Sequence, residues 1–134
     1  PAYRSVNACL VPLCSCDGLS VTTTEGLRQC CGGGFHPLQE RLADANGSQC
    51  GYCSPGMVMA MFGKLSAHPG PTCPDEVQIE GALDGNLCRC TGYRAILTAF
   101  KSFAGTPKDA VAGEKYAPFP EFLRGRAECP ERGP

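Results

Sequence analysis

The sequence carries almost no excess charge. Twelve Lys and Arg stand against thirteen Asp and Glu, a net charge of -1, which gives no sign of a nucleic-acid or anionic-membrane partner. Long apolar runs are also absent. The longest, "GMVMAMFG" at 56–63, is far shorter than the roughly 20 residues that span a bilayer. The opening residues lack the basic-then-apolar order of a signal peptide. There is no initiator methionine either; the chain starts at Pro1, and the expectation is a piece cut from a longer polypeptide. These absences predict a soluble, unsecreted, cytoplasmic chain with neither a nucleic-acid nor a membrane partner. At 134 residues it has room for about one domain, or two very small ones.

What the sequence has in abundance is cysteine, at eleven positions. In an unsecreted protein that abundance points to metal or catalytic work more than to disulfides. An odd count also excludes complete pairing within one chain.

Residues 5–30 carry β-branched residues on both sides of Asp17-Gly18, a dipeptide suited to a tight hairpin turn. Two strands alone are marginal in water, so this hairpin is expected to want a sheet. "CCGGG" at 30–34 reads as a flexible joint between two units. Four helices are predicted beyond it. In "FHPLQERLADANG", Pro37 suits a first helical position, Leu38 and Leu42 share a face, and Gly47 can close the far end. In "SPGMVMAMFGKLSAHPG", Ser54 is the expected N-cap with Pro55 at N1, and Met57, Met61 and Leu65 form one row. In "DEVQIEGALDG", Asp75 and Gln78 stand at the two positions of a capping box, with Val77, Ala82 and Leu83 apolar. In "TGYRAILTAFKSFAG", Ile96, Phe100 and Phe103 recur before Gly105 and Pro107. Four short helices with short joints predict a small bundle. From 106 onward prolines and glycines are frequent and no period holds, as in a linker.

The cysteine spacing carries the chemistry. Cys50-Gly-Tyr-Cys53 falls between the first two predicted helices and Cys88-Arg-Cys90 between the last two. Side chains two apart on a helix do not face each other and those next to one another on a strand point apart, so a C-x-C pair belongs in a turn. If both joints lie at one end of the bundle, four thiols meet. Four thiolates suit a tetrahedral zinc or an iron-sulfur cluster. C-x2-C serves both, while C-x-C is unlike the usual zinc-ribbon knuckle, and two irons offer a wider target with two protein sulfurs on each. Iron-sulfur is the favoured reading; a zinc-binding four-cysteine structural or interaction module without redox role is the alternative.

"HPLQERLADANGSQCGYCSPGMVMAMFGKL" followed by "DEVQIEGALDGNLCRCTGYRAILTAFKSFA" resembles the iron-sulfur region of the molybdenum hydroxylases, the family of xanthine dehydrogenase and aldehyde oxidase. The likeness runs from about Ser5 to Ala104, and "QCGYCSPG" with "GNLCRCTGYR" is its most specific pair. The resemblance implies a four-helix [2Fe-2S]-binding domain at 34–105, preceded at 1–33 by the C-terminal remnant of a plant-type ferredoxin-like domain. It also implies a linker at 106–134 toward an absent flavin domain. In those terms Cys50, Cys53, Cys88 and Cys90 match the ligands of the family's second cluster. Cys9, in "VNACLVPLC", matches the fourth ligand of a first cluster whose C-x4-C-x2-C run is absent here. Gln49 and the Cys90 segment match the family's contacts to the pterin. The implied function is electron relay from a molybdopterin centre toward FAD, with both cofactors held by other domains of a parent oxidoreductase that is expected to be a homodimer.

Cys14, Cys16, Cys30, Cys31, Cys73 and Cys129 have no motif partner and are read as free thiols, with Cys30-Cys31 a poor disulfide candidate because adjacent cysteines bridge only through a strained ring. His36 is read as a helix-entry residue, and Tyr52 and Tyr93 as core filling. Arg89, between two candidate ligands, either offsets negative charge there or is a solvated surface group.

Overall fold

In the computed structural model, residues 3–29, 34–69 and 74–104 are described, with side chains of 28 and 29 excepted; these residues contain no strand. Among the described residues five α-helices form: α1 Thr24–Gln29, α2 Pro37–Asp44, α3 Ser54–Ala67, α4 Glu76–Gly81 and α5 Arg94–Lys101. The last four are the four helices predicted from the sequence. The predicted joint at Cys30 and Cys31, Cys73, the stop at Gly105 and Pro107, and the 106–134 linker with Cys129 lie outside the described residues.

Two of the helices, α2 and α4, start at a capping box. His36 N-caps α2: its Nδ1 accepts from the Leu38 N–H at 3.0 Å, and the Gln39 Oε1 accepts from the His36 N–H at 2.9 Å, so two otherwise orphaned donors are satisfied reciprocally. His36 thus enters the helix as expected, with Pro37 at the first position. At the far end Asn46 takes the left-handed conformation at φ 55°. The Gly47 N–H reaches the Leu42 carbonyl at 2.8 Å and the Asn46 N–H the Ala43 carbonyl at 2.9 Å, the paired bonds of a Schellman ending. The Asp75 and Gln78 capping box of α4 also forms, at 2.7 and 3.3 Å.

α3 is the central element because it is apolar nearly all round. It buries Met57, Val58, Ala60, Met61, Phe62, Gly63 and Leu65, including the whole predicted row. α3 packs on α1 and α2, α2 also on α5, and α5 on α4. Leu27, Leu38, Leu42, Ile79, Leu83, Ile96, Phe100 and Phe103 complete one buried cluster. At about 1.5–3 kcal/mol for each large apolar side chain, this burial is the main force holding the helices together. One charge crosses it. Arg41 is buried in α2, donates from Nη1 to the Ser102 carbonyl and hydroxyl at 2.9 Å each, and lies 3.7 Å over the Phe103 ring.

Three expectations need correction. The hairpin expected within 5–30 does not form in the described residues 5–29: Asp17 and Gly18 make a turn, but short 3-10 turns at Ala8–Leu10 and Leu13–Cys16 precede it and α1 follows. A two-stranded ribbon has too little to bury by itself, and no further strand among the described residues supports one. The segment instead rests on α3, where Ser5 approaches Gly63 so closely that a Cβ built there would lie 3.1 Å from the Ser5 nitrogen. Next, Cys53 rather than Ser54 is the N-cap of α3, putting Pro55 at its second position. The Ser54 hydroxyl is engaged with that of Ser48 at 2.7 Å, so it does not cap the helix. Finally, Val77 faces solvent and Ile79 takes the buried place in α4, since residues two apart on a helix do not share a face.

Candidate metal centre

The first cysteine loop is shaped by what ends α2 and what starts α3. After the Schellman ending the chain runs through Ser48 and Gln49 to Cys50, turns at Gly51, and delivers Cys53 to the head of α3. Gly51 has φ 81°, a conformation that costs any residue with a Cβ roughly 1–2 kcal/mol, so a glycine between the two cysteines has a backbone reason. The Ser48–Ser54 hydroxyl contact ties the two ends of the loop together.

The second loop is built around Cys88. Gly92 and Tyr93 are both left-handed, at φ 63° and 66°, which folds the backbone back before α5 begins. For tyrosine this conformation is unfavourable and must be held by its surroundings. The Tyr93 hydroxyl accepts from the Cys88 N–H at 2.8 Å, the Tyr93 N–H donates to the Thr91 hydroxyl oxygen at 3.2 Å, and that oxygen lies 3.0 Å from the Cys88 sulfur. Three contacts made through two side chains of one turn, Tyr93 and Thr91, thereby fix the position of one sulfur.

The two loops bring the four thiols together in two pairs. Cys53 interacts with Cys88, and Cys50 with Cys90. The inner pair joins a half-buried to a buried thiol, whereas both members of the outer pair are exposed. In each pair one thiol ionises more readily than the other. The hydroxyl of Thr91, aided by its backbone N–H, lowers Cys88 to about 7, while burial, then the neighbouring Cys88 sulfur, raises Cys53 to about 11. Cys50 is lowered by the Tyr52 backbone N–H and then by Cys90; Cys90 is raised, chiefly through its hydrogen bond to Cys50. Two adjacent sulfurs cannot both carry a bare negative charge cheaply. A bound cation relieves that cost, and the same binding displaces the remaining protons.

Among the described residues no three His, Cys, Asp or Glu side chains converge on one ion-sized point. Two pairs of thiols, one from each loop in either pair, suit two metal atoms with two sulfurs each better than a single tetrahedral ion.

The other predicted positions fall as follows. Gln49 is exposed directly before Cys50, and Arg89 is exposed between Cys88 and Cys90. Tyr52 does not fill the core: it is 94% exposed, because Gly51 turns the loop outward. Tyr93 is half-buried against the core with its hydroxyl used inside the loop. Cys9 and Cys14 are exposed and Cys16 is partly so; none of them joins the four-thiol group, and all three are free. Sequence reading overlooked Thr91 and the hydroxyl of Tyr93. The only signal was the presence of two polar side chains within three residues of Cys90, in a turn that has to hold a sulfur still.

Residues 23–101 match the [2Fe-2S] binding domain family. The chain is 53% identical over 107 residues to xanthine dehydrogenase of Dictyostelium discoideum, an overlap that takes in 80% of this chain and 8% of that protein. It is 54% identical over 104 residues to aldehyde oxidase 1 of Oryctolagus cuniculus, covering 78% of this chain and again 8% of the relative. Among solved structures it is similar to quinoline 2-oxidoreductase from Pseudomonas putida 86, with a TM-score of 0.61, 33% identity, and coverage of 72% of this chain and 56% of that one.

Proposed function

We propose, from the premise that this chain belongs to the [2Fe-2S] binding domain family, that Cys50, Cys53, Cys88 and Cys90 hold one [2Fe-2S] cluster and that the chain serves as an electron relay in a molybdenum hydroxylase. The observation that carries this reading is the cross-loop pairing of the thiols, Cys53 with Cys88 and Cys50 with Cys90. Each pair would supply two soft thiolate ligands to the cluster. When bound, the cluster supplies a one-electron site. The chain's own residues orient the sulfurs and shield the inner pair more than the outer one, with Tyr93 and Thr91 fixing Cys88 and the Ser48–Ser54 contact closing the other loop.

The relay direction, from a molybdopterin centre toward FAD held by other domains of a cytoplasmic, dimeric parent, rests on the likeness to xanthine dehydrogenase and aldehyde oxidase, and the chain spans only about 8% of the length of those relatives. Within that reading the chain divides at 1–33, 34–105 and 106–134. Cys9 is an isolated ligand of a first cluster, and Gln49 with Cys90 faces the pterin. The exposure of both residues supports such a contact, because a Gln amide can both donate to and accept from a pterin edge.

Cysteine replacement with visible absorption as the readout tests the ligand set. Cys88→Ser is expected to bleach an anaerobically reconstituted chain, since metal binding and folding are coupled, whereas Cys14→Ser keeps the colour. Iron retained by Cys88→Ser and lost from Cys14→Ser refutes the assignment. For the pterin contact, Gln49→Ala in a full-length parent should slow reduction of this cluster by substrate while iron content stays unchanged.

A further inference from the structure

We infer that the Thr91 hydroxyl is a positioning residue that sets the reduction potential of the cluster through the Cys88 sulfur, an inference that rests on the [2Fe-2S] reading above. Iron ligation defines the direction of the hydrogen bond, because the contact itself suits either donor. The Thr91 oxygen lies 3.0 Å from the Cys88 sulfur and already accepts the Tyr93 N–H at 3.2 Å. A free thiol could donate to that oxygen as well. A ligating thiolate has no proton, so once Cys88 binds iron the hydroxyl has to be the donor.

An O–H···S bond to a cluster ligand acts unequally on the two oxidation states. Reduction adds one electron and no proton, increasing the negative charge spread over iron and sulfur, and a donor held on that sulfur stabilises the reduced state more than the oxidised one. The threonine proton stays on its oxygen throughout. Burial makes the bond matter more, because Cys88 is the least exposed of the four thiols at 9%, where water competes poorly for the sulfur. Both residues also belong to a turn of fixed shape, with Gly92 and Tyr93 left-handed and the Tyr93 hydroxyl on the Cys88 N–H. The donor therefore needs little rearrangement as the charge changes.

The test is a dithionite titration of the full iron-loaded chain, followed by the electron-paramagnetic-resonance signal of the reduced cluster, with Thr91→Val, Thr91→Ala and Thr91→Ser as variants. Val and Ala are expected to load the same iron and to require a more negative potential, the ratio of reduced to oxidised cluster at fixed potential falling about tenfold, or about 59 mV for one electron. Ser is expected to behave as the parent sequence does. An unchanged potential in iron-loaded Thr91→Val or Thr91→Ala overturns the inference. So does loss of iron from both with retention in Thr91→Ser, which would make the hydroxyl a support for assembly and not a setting of potential. Should the unsubstituted chain take up no iron and sulfide, the cluster reading itself fails, and that result is distinct from either outcome at Thr91.

Discussion

The Tyr93 hydroxyl accepts the Cys88 backbone N–H at 2.8 Å, and it does so from a residue whose own backbone is left-handed at φ 66°. The unfavourable conformation and the hydrogen bond belong together: the first aims the ring back at the turn, and the second satisfies a donor beside a buried sulfur. Tyr93→Phe keeps the ring and removes only the acceptor. It is expected to cost about 1–3 kcal/mol, the penalty for leaving a partly buried N–H unpaired, measured by urea denaturation of the iron-loaded chain. A cost below about 0.5 kcal/mol, the level of an ordinary surface change, would show that water satisfies the Cys88 N–H equally well.

Arg41 connects the two halves of the helical core. Its guanidinium donates from Nη1 to both the carbonyl and the hydroxyl of Ser102 while its central carbon lies over the Phe103 ring, so one nitrogen and the flat cationic face are both in use. Arg41→Lys keeps a charged donor but not the plane that lies on the ring, and a loss of about 0.5–2 kcal/mol is expected. Arg41→Ala should lose more, because the hydrogen bonds to Ser102 also go. The same denaturation measurement decides; equal stability of Lys and Arg at this position would show that the planar contact with Phe103 contributes nothing.

Gly47 tests the Schellman ending. A Cβ at this buried position would meet the Leu42 side chain and lie 3.1 Å from its carbonyl oxygen, pushing a core leucine out of place just ahead of the Cys50 loop. Gly47→Ala is expected to destabilise by about 1–3 kcal/mol, even though alanine normally favours order over glycine. Asn46→Gly should be neutral or slightly stabilising, because its left-handed backbone suits glycine better. A stabilised Gly47→Ala in thermal unfolding would contradict the close approach.

Thiol reactivity should report the pairing in the metal-free chain. Thiolates, not thiols, are alkylated. At pH 8, exposed Cys50, lowered by the Tyr52 N–H, should react with iodoacetamide faster than its partner Cys90, which is raised. Cys53, raised to about 11 and half-buried, should be slowest of the four. The sign follows from the acid form being the inert one: raising the pH toward the higher values ionises Cys53 and Cys90 and narrows the gap. Cluster binding should protect all four while exposed Cys9 and Cys14 stay reactive. Mass spectrometry of tryptic peptides gives the order, and Cys53 reacting first would refute the pairing.

The parts of the fold with a local cause were legible in the sequence. Pro37, the Asp75 and Gln78 capping box, and the Met57, Met61 and Leu65 row each state their helix in a few adjacent residues, and those helices are present. The four-thiol group was legible for the same reason, since C-x2-C and C-x-C in helix joints leave the sulfurs few places to go. What failed depended on distant partners. Residues 5–30 have the composition of strands, but a strand needs a neighbour, and without one among the described residues the backbone settles into local turns. α1 was missed because Thr24–Gln29 is too short for a periodic signal, and its single deep anchor, Leu27, is fixed by packing in the α3 cluster. Tyr52 was misplaced because the left-handed turn at Gly51, not hydropathy, decides which way it points.

Whether two pairs of thiols hold two irons is decided by the iron, acid-labile sulfide and zinc content of the full chain purified without oxygen, together with its visible spectrum. About two irons and two sulfides per chain and a red-brown colour are expected, as for one four-cysteine cluster. A colourless chain carrying about one zinc per molecule, lost when Cys88 is replaced by serine, would contradict the two-iron assignment.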